Sequence, residues 1–587
     1  MKIAFDIETD GLNPTIIYCI AAKVIGQDVT EFWTPETVKF FPAWLVEIDA
    51  DTLIGHNIVG FDLPVMKKLL GFDWWGDIED TLIMSRLDNP SREKGQSLAS
   101  WGIRFNYPKG EFSDWTHYSQ EMKEYCIRDV EILDKLYRLM SSKNMSETAL
   151  SLEHEIAEIT HQQTLNGWKF DIRKASSLLA LLKQEMFIAE DEVRKVFTPL
   201  SVWMPLKQLK QTHKKDGGKT INYINQLAKG AHWRVDEGLK EEDEWGYYAY
   251  PEFNLGSRQQ IARYLQHFGW KPKQFTELGT PIVSEAVLNT IKIPEGKLIA
   301  KYLMLQKRLG LVSSWIDAVD KDDRIRGKVN TCGAVTGRMT HSSPNLAQVP
   351  ASHSPYGEDC RELFTVEEGY KLVGMDASGL ELRMLAHYMN DDDYTNEVIN
   401  GDIHTANQKA ANLDSRDKAK TFIYAFLYGA GSHKLGQITP SRENKDEDIY
   451  ARGRRLQRDF LTNLPSLKTL RDKVISAAES GYLTGLDGRI LHIRSTHAAL
   501  NTLLQSAGAI VMKRAVILLT ESCKKWKINY RLLGQIHDEI QVEVQENQAE
   551  PFGDLAVHCI KQAGEDFKLN CPLDGNYKIG TTWRETH

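Results

Sequence analysis

The chain has 587 residues, 42% of them hydrophobic and 26% charged, with a formal net charge of −8, and at about 100–200 residues per domain that length predicts three to five ordinary globular domains. No apolar run reaches the ~18–20 residues of a membrane span. Acids arrive by Asp6, which does not fit a secretory leader, and the cysteines form no C-x-x-C pair, which argues for a reduced compartment over disulfides or zinc.

Net acidity weighs mildly against a nucleic-acid binder, because phosphate contacts want Lys and Arg. The average hides basic runs at Lys207–Lys219 and Arg452–Arg458 and acidic runs at 241–244 and 391–393, so bulk charge decides little.

Residues 1–140 read as an α/β unit, with short apolar strands at 2–7 and 16–25 and a long helix at 120–140. In KIAFDIE, Ile3, Phe5 and Ile7 share one strand face, and Ala4, Asp6 and Glu8 share the other. Two acids on one face of an apolar strand are costly unless paired or metal-bound; a solvated strand edge would carry the same pair. Asp62 follows a strand-like DTLIG, and Asp80 reads as a helix cap. In the 120–140 helix, Met122, Tyr125, Cys126, Leu133, Leu136 and Met140 form an apolar stripe, and Asp129 falls on it. Three acidic segments and a Tyr-x-x-x-Asp pair point to a site for two divalent cations, which carboxylate oxygens hold. Such a pair stabilises the attacking and leaving oxygens of phosphodiester cleavage, with Tyr125 placed to orient water.

A linker at 141–147 precedes a helical stretch to about 203. Residues 204–252 are Gly-rich and charged, with Trp233, Trp245, Tyr247, Tyr248 and Tyr250 interspersed, and read as an inserted, exposed segment. Ser257 and Gln260 form a capping-box pattern, and helical signal returns there and near 297–309. Beyond 330, an apolar strand ends at Asp376 and a helix starts near Gly379.

The stretch RDKAKTFIYAFLYGAG, read as a helix, sets Arg416, Lys420, Tyr424 and Tyr428 in one slanting stripe. Two cations followed by two phenols suit a triphosphate followed by its sugar and base; a partner-binding helix with incidental cations is the alternative. RLLGQIHDEIQVEV reads as a hairpin with Ile540, Val542 and Val544 on a half-buried strand and His537, Asp538 and Glu539 at its tip. Strand-end acids Asp376 and Asp538 could then assemble a second two-metal centre.

These patterns carry a resemblance. D-x-E, N-x-x-x-F-D and Y-x-x-x-D, in that order, are similar to the proofreading 3′–5′ exonuclease fold, a ribonuclease H-like domain, with Asp6, Glu8, Asp62 and Asp129 matching its acids and Tyr125 its tyrosine. DASGLELRMLAH, RDKAKTFIYAFLYG and IHDEIQ resemble motifs A, B and C of family A (Pol I-type) DNA polymerases. GAVTGRMTHSSPNLAQVP, GDIHT, LDGRILHIRS and HAALNTLLQSAGA narrow it to the T-odd bacteriophage replicative branch, over nearly everything except 204–252.

The resemblance implies an α/β multidomain chain: an exonuclease domain at 1–145, then a right-hand polymerase with thumb at 146–330, palm at 331–390 and 491–587, and fingers at 391–490. It implies Mg²⁺ pairs at both sites, with Asp376, Asp538 and the Ala377 carbonyl as polymerase ligands. Arg416, Lys420 and His404 would contact the triphosphate, Lys420 protonating the leaving pyrophosphate, with Tyr428 beside the base. His537 and Glu539 would support the metals and primer end. Glu381, bonded to Tyr424, would exclude a ribose 2′-hydroxyl, and Arg338 and Gln505 would reach minor-groove acceptors common to all correct pairs. Implied partners are primer-template DNA, dNTPs, a helicase-primase, and host thioredoxin or another processivity factor at 204–252, a segment shorter than expected. A monomer in the host cytoplasm, without membrane contact, completes the expectation. Glu381 argues against a single-subunit RNA polymerase, and the intact acids against a replication scaffold with decayed sites.

Overall fold

The computed structural model describes residues 1–205, 213–229, 234–241, 244–438 and 448–587. The chain divides by its contacts into two units: Met1–Phe170 with Ala318–His587, and Asp171–Asp317.

The first unit opens with a five-stranded sheet in spatial order Thr30–Trp33, Ile17–Val24, Lys2–Thr9, Thr52–Gly55, Asp77–Asp80. The first three strands are antiparallel, and the last two join in parallel. Alternation along Lys2–Thr9 sorts its side chains. Ile3, Phe5 and Ile7 enter an apolar cluster with Trp33 and Phe41, while Ala4 enters another with Leu133, Leu136 and Met140 of helix Gln120–Ser141. Ser119 caps that helix, its hydroxyl accepting from the Met122 amide at 3.1 Å. Asp6 and Glu8 must therefore share the strand face that this helix covers, and Asp129 comes to them.

A second sheet of four antiparallel strands runs in the order Tyr530–Ile536, Glu539–Gln545, Tyr370–Ala377, Gly575–Gly580. Val373, Met375, Ile540, Val542 and Val544 share one apolar cluster with the helices Ala499–Trp526 and Ala549–Asp566. The strand Glu539–Gln545 is not half-buried, as its alternation predicts; Gln541 and Glu543 on the other face are buried as well. Arg324 and Arg531 reach the Glu543 carboxylate at 3.0 and 3.2 Å, and Gln541 bonds to Glu539 and Thr586. Paired polar groups thus fill a face where hydropathy predicts solvent.

The helical segment Thr496–Trp526 is long and apolar enough by length and composition to cross a membrane, with mean hydropathy 1.5, contrary to the sequence reading. Its apolar window is 83% buried inside the protein, so it serves as the central core helix.

A buried group of four charges ties distant segments together. Arg489 meets Glu153 at 2.7 Å and Asp487 at 2.6 Å; Lys513 also pairs with Glu153 and donates to the Gly337 carbonyl at 2.8 Å. All four side chains are buried. Burial raises the Glu153 carboxyl, but Lys513 and Arg489 outweigh it and hold the group down at about 2. The helix Glu147–Asn166 carries Glu153, packs on helix Ala499–Trp526 and strand Tyr530–Ile536, and so belongs to the first unit. The contact units accordingly change after Phe170 and again after Asp317, inside the 146–330 stretch. Strand Trp168–Phe170 pairs with Arg324–Ile325 and Phe364–Thr365, which holds both ends inside the first unit.

In the second unit, helices Ile172–Val196 and Pro294–Asp317 pack along each other. Ser257 caps Arg258–His267, but the capping box is half made: Gln260 accepts from the Asn254 amide at 2.8 Å, not from Ser257. The described residues of the 204–252 region hold regular structure where its composition suggests none. It contains a three-stranded antiparallel sheet, Val202–Pro205, Glu244–Tyr250, Arg234–Glu241, and the helix Ile221–Lys229. Glycines and charges mask its strand signal. Residues 206–212, 230–233 and 242–243, hence Trp233, much of the basic run and part of the acidic run at 241–244, lie outside the described residues.

Breaking one partner of a buried ion group leaves the rest uncompensated, at a typical cost of ~3–5 kcal/mol. Glu153→Gln is expected to lower the unfolding free energy of the first unit by about that amount, read from the midpoint of urea unfolding followed by circular dichroism.

Candidate active sites

The first site is a cage of acids. Asp6 and Glu8 project from one strand, Asp62 begins the helix Asp62–Leu70, and Asp129 stands on Gln120–Ser141. Donor atoms of Asp6, Glu8 and Cys126 lie within 4.8 Å of one another. The Cys126 thiol itself donates to the Asp6 carbonyl at 3.5 Å.

Burial comes first in shifting these carboxyls; repulsion from the other cage acids adds to it at Asp6 and Glu8, and repulsion from Asp80 adds at Asp62. Glu8 is pushed up to about 8, Asp62 to about 7 and Asp129 to about 6, and Asp6 is held well above the usual range. Glu8 Oε1 and Asp129 Oδ1 are buried without a hydrogen-bond partner. A crowd of acids with orphaned oxygens is short of positive charge, and its hard oxygen donors fit Mg²⁺ or a similar cation. Tyr125 packs against Phe112 and Trp115, with ring centroids 5.5 and 5.7 Å apart. Asp80 stays outside the cage: it caps Thr81–Asp88, accepting from the Leu82 and Asn57 amides, each at 2.9 Å.

Sequence reasoning missed Lys109, whose ammonium pairs with Asp129 and lies 4.3 Å from the Tyr125 ring centroid. It comes from an irregular loop, where no periodicity marks an inward residue.

The second site lies at the end of the four-stranded sheet. Asp376 is in register with Glu539 on the neighbouring strand, and the Ala377 amide donates to the Asp538 carbonyl at 3.2 Å. His537 takes φ +62° at the hairpin tip and turns the chain so that Asp538 comes beside Asp376. Desolvation in the cleft, then Asp538 and Glu539, push the Asp376 carboxyl up to about 7. Two facing carboxylates with that repulsion again fit a divalent cation.

Glu539 is no solvated turn acid. Its Oε1 accepts from Trp583 Nε1 at 2.6 Å and Gln541 Nε2 at 2.7 Å, and its Oε2 meets His587 Nδ1 at 3.0 Å. Burial raises its pKa, but these three partners together carry it below the ordinary value.

The stripe residues form the helix Arg416–Leu427, with Ser415 as its cap and Tyr428 closing its last turn. Arg416 Nε donates to Asp402 at 2.8 Å, and Asp402 also caps Ile403–Ala410 through the amides of His404 and Thr405. Burial, then Arg416 and Lys420, depress the His404 imidazole. The rings of Tyr424 and Tyr428 stack at 6.4 Å.

The expected Glu381–Tyr424 bond is replaced by one turn's displacement. Tyr428 Oη donates to both Glu381 oxygens, at 2.7 and 2.8 Å, and Arg338 reaches the same carboxylate at 3.4 Å. Tyr424 is still close enough to feel the charges of Glu381 and Asp538. Arg338, Lys513, Gln535 and His537 line one small cavity, and Gln505 stands half-buried on Ala499–Trp526.

Residues 224–585 match DNA polymerase family A. The DNA-directed DNA polymerase of Enterobacteria phage T3 is 33% identical, covering 93% of this chain and 95% of its own. The DNA-directed DNA polymerase of Escherichia phage T7 is 32% identical, covering 97% of this chain and 100% of its own. The fold is shared with the POL domain of Pol1 from M. smegmatis, solved in complex with DNA primer-template and dNTP: TM-score 0.74 at 18% identity, covering 99% of this chain and 95% of that one.

A carboxyl raised by folding stabilises the fold below its unfolded pKa and loses that contribution as pH climbs through the folded value. With Glu8, Asp62 and Asp129 at about 8, 7 and 6, the chelator-treated chain is expected to lose thermal stability between pH ~4 and ~8. Differential scanning calorimetry of wild type against Glu8→Gln should show a flatter pH slope in the variant.

Proposed function

The chain belongs to DNA polymerase family A, and on that premise we propose that this DNA-directed DNA polymerase extends primers at the Asp376–Asp538 site and trims mispaired 3′ ends at the Asp6–Glu8–Asp62–Asp129 cage. The observation carrying this reading is the meeting of Asp376 and Asp538 at adjoining strand ends, within electrostatic reach of the Tyr424 stripe.

Asp376, Asp538 and the Ala377 carbonyl would hold Mg²⁺ at the synthetic site, and the four cage acids would hold it at the other. When bound, the ion lowers the pKa of the attacking hydroxyl or water and offsets charge on the phosphate. The protein's own part is positioning and electrostatics. Arg416 and His404, aligned through Asp402, receive the triphosphate. Lys420, one turn along the same face, neutralises it and passes a proton to the departing pyrophosphate. Tyr424 and Tyr428 offer flat faces to sugar and base. Glu381, fixed by Tyr428 and Arg338, walls off the space of a ribose 2′-hydroxyl. Arg338 and Gln505 donate to minor-groove acceptors that every correct pair presents, which tests pair shape without reading sequence. Glu539, locked by Trp583, Gln541 and His587, stiffens the start of the strand that follows Asp538, and His537 flanks the primer end.

At the cage, Tyr125 orients the water that attacks the terminal phosphodiester. A second hydrolytic site supplies discrimination that differential binding alone rarely reaches. A mismatched end frays into the single strand that such a site accepts.

By likeness to the phage relatives, the proposed setting is viral DNA replication in the host cytoplasm, with the chain acting as a monomeric polymerase. The small sheet around 204–252 is the proposed seat of a processivity factor such as host thioredoxin, with a helicase-primase as a further partner.

Primer-template assays with and without dNTPs test both sites. Asp376→Ala is expected to lower extension by at least ~100-fold while sparing excision of single strands, and Asp6→Ala with Glu8→Ala to do the reverse. Loss of both activities in either folded variant would refute the assignment.

A further inference from the structure

The loop between helices Leu98–Arg104 and Gln120–Ser141 holds Lys109 in a fixed place. The Tyr107 amide donates to the Gly102 carbonyl at 2.8 Å, the Tyr107 hydroxyl donates to Glu131, and Arg128 donates to the Pro108 carbonyl at 3.3 Å. Phe112 and Trp115, farther along, pack on Tyr125. A β-carbon at Gly102 would sit 2.7 Å from the Tyr107 carbonyl and 3.1 Å from the Lys109 amide, so this glycine permits the loop's close approach. The loop is thereby anchored on both sides of Lys109.

The ammonium so delivered pairs with Asp129, lies 4.3 Å from the centroid of the Tyr125 ring and acts electrostatically on Asp6 and Glu8. Fixing a long, flexible lysine against acids has an entropic cost, and a structural salt bridge would need only one of these partners. Here the cation touches an acid and the tyrosine together. A cation held beside the Tyr125 ring fixes where that phenol stands. A fixed monovalent cation also repels a divalent ion arriving at Asp129.

We propose that Lys109 is a resident cation of the acid cage: it positions Asp129 and Tyr125 for excision, and it competes with the divalent ion, setting the metal concentration at which the site fills. The positioning half rests on the exonuclease reading above; the competition half stands without it.

The test uses the full chain carrying Asp376→Asn and Asp538→Asn, so that metal binding reports the cage. Mn²⁺ is titrated without DNA and free ion is read by electron paramagnetic resonance, for Lys109, Lys109→Met and Lys109→Arg forms. Lys109→Met is expected to bind Mn²⁺ about tenfold more tightly, yet to excise a single-stranded 3′ end about tenfold more slowly at saturating Mg²⁺. Lys109→Arg, which keeps the charge, should return both quantities most of the way. Unchanged or weaker Mn²⁺ binding in Lys109→Met would overturn the competition, and an unchanged saturated excision rate would overturn the positioning role. A tightened Mn²⁺ affinity in a chain whose Lys109 form never excises would sink the exonuclease reading while supporting the competition.

Discussion

The buried group of Glu153, Asp487, Arg489 and Lys513 is the constraint on which the first unit depends. Two carboxylates and two cations balance to zero, but their desolvation is tolerable only in one geometry, with each charge against its partners. The group spans 336 residues between Glu153 and Arg489 and 360 between Glu153 and Lys513, so it specifies how far-separated segments meet. Through Lys513 it also grips the Gly337 carbonyl, and the next residue is Arg338, which reaches Glu381. The ion group therefore sets the backbone from which one wall of the second site is built.

The two acid sites solve the same electrostatic problem differently. The Asp6 cage is closed and crowded, with burial as the largest influence on every carboxyl and a lysine brought in to offset part of the repulsion. The Asp376 site is open at a strand end, with fewer acids, and its nearest extra acid, Glu539, is already spoken for by Trp583, Gln541 and His587. On the proposed reading, the open site suits a bulky duplex and triphosphate, and the closed cage suits a single frayed end.

Local chemistry was legible in the sequence wherever a short-range period governs it. Alternation in Lys2–Thr9 and the 3.6-residue repeat of Gln120–Ser141 place Asp6, Glu8, Tyr125 and Asp129 without any structure, and the Arg416–Leu427 stripe follows from spacing alone. What escaped has no such period. Lys109 sits in a loop held by Gly102, Arg128 and Glu131. The locks on Glu539 arrive from Trp583 and His587, over forty residues away in sequence. Helical spacing puts Tyr424 and Tyr428 on one face but cannot say which phenol reaches Glu381, because that depends on how the helix meets another element. The buried Glu543 and Gln541 mislead hydropathy for a related reason: Arg324 and Thr586, which help to satisfy them, are remote in sequence.

Arg416 is bridged to Asp402, and both groups are open to solvent. On the proposed reading, an arriving nucleotide does not find a vacant guanidinium; it enters an exchange in which one anion must dislodge another. Such an exchange favours ligands in order of their ionic charge, so a nucleoside monophosphate is a poorer competitor than a triphosphate. Rank by charge thus precedes any inspection of base or sugar, and added salt would blunt it.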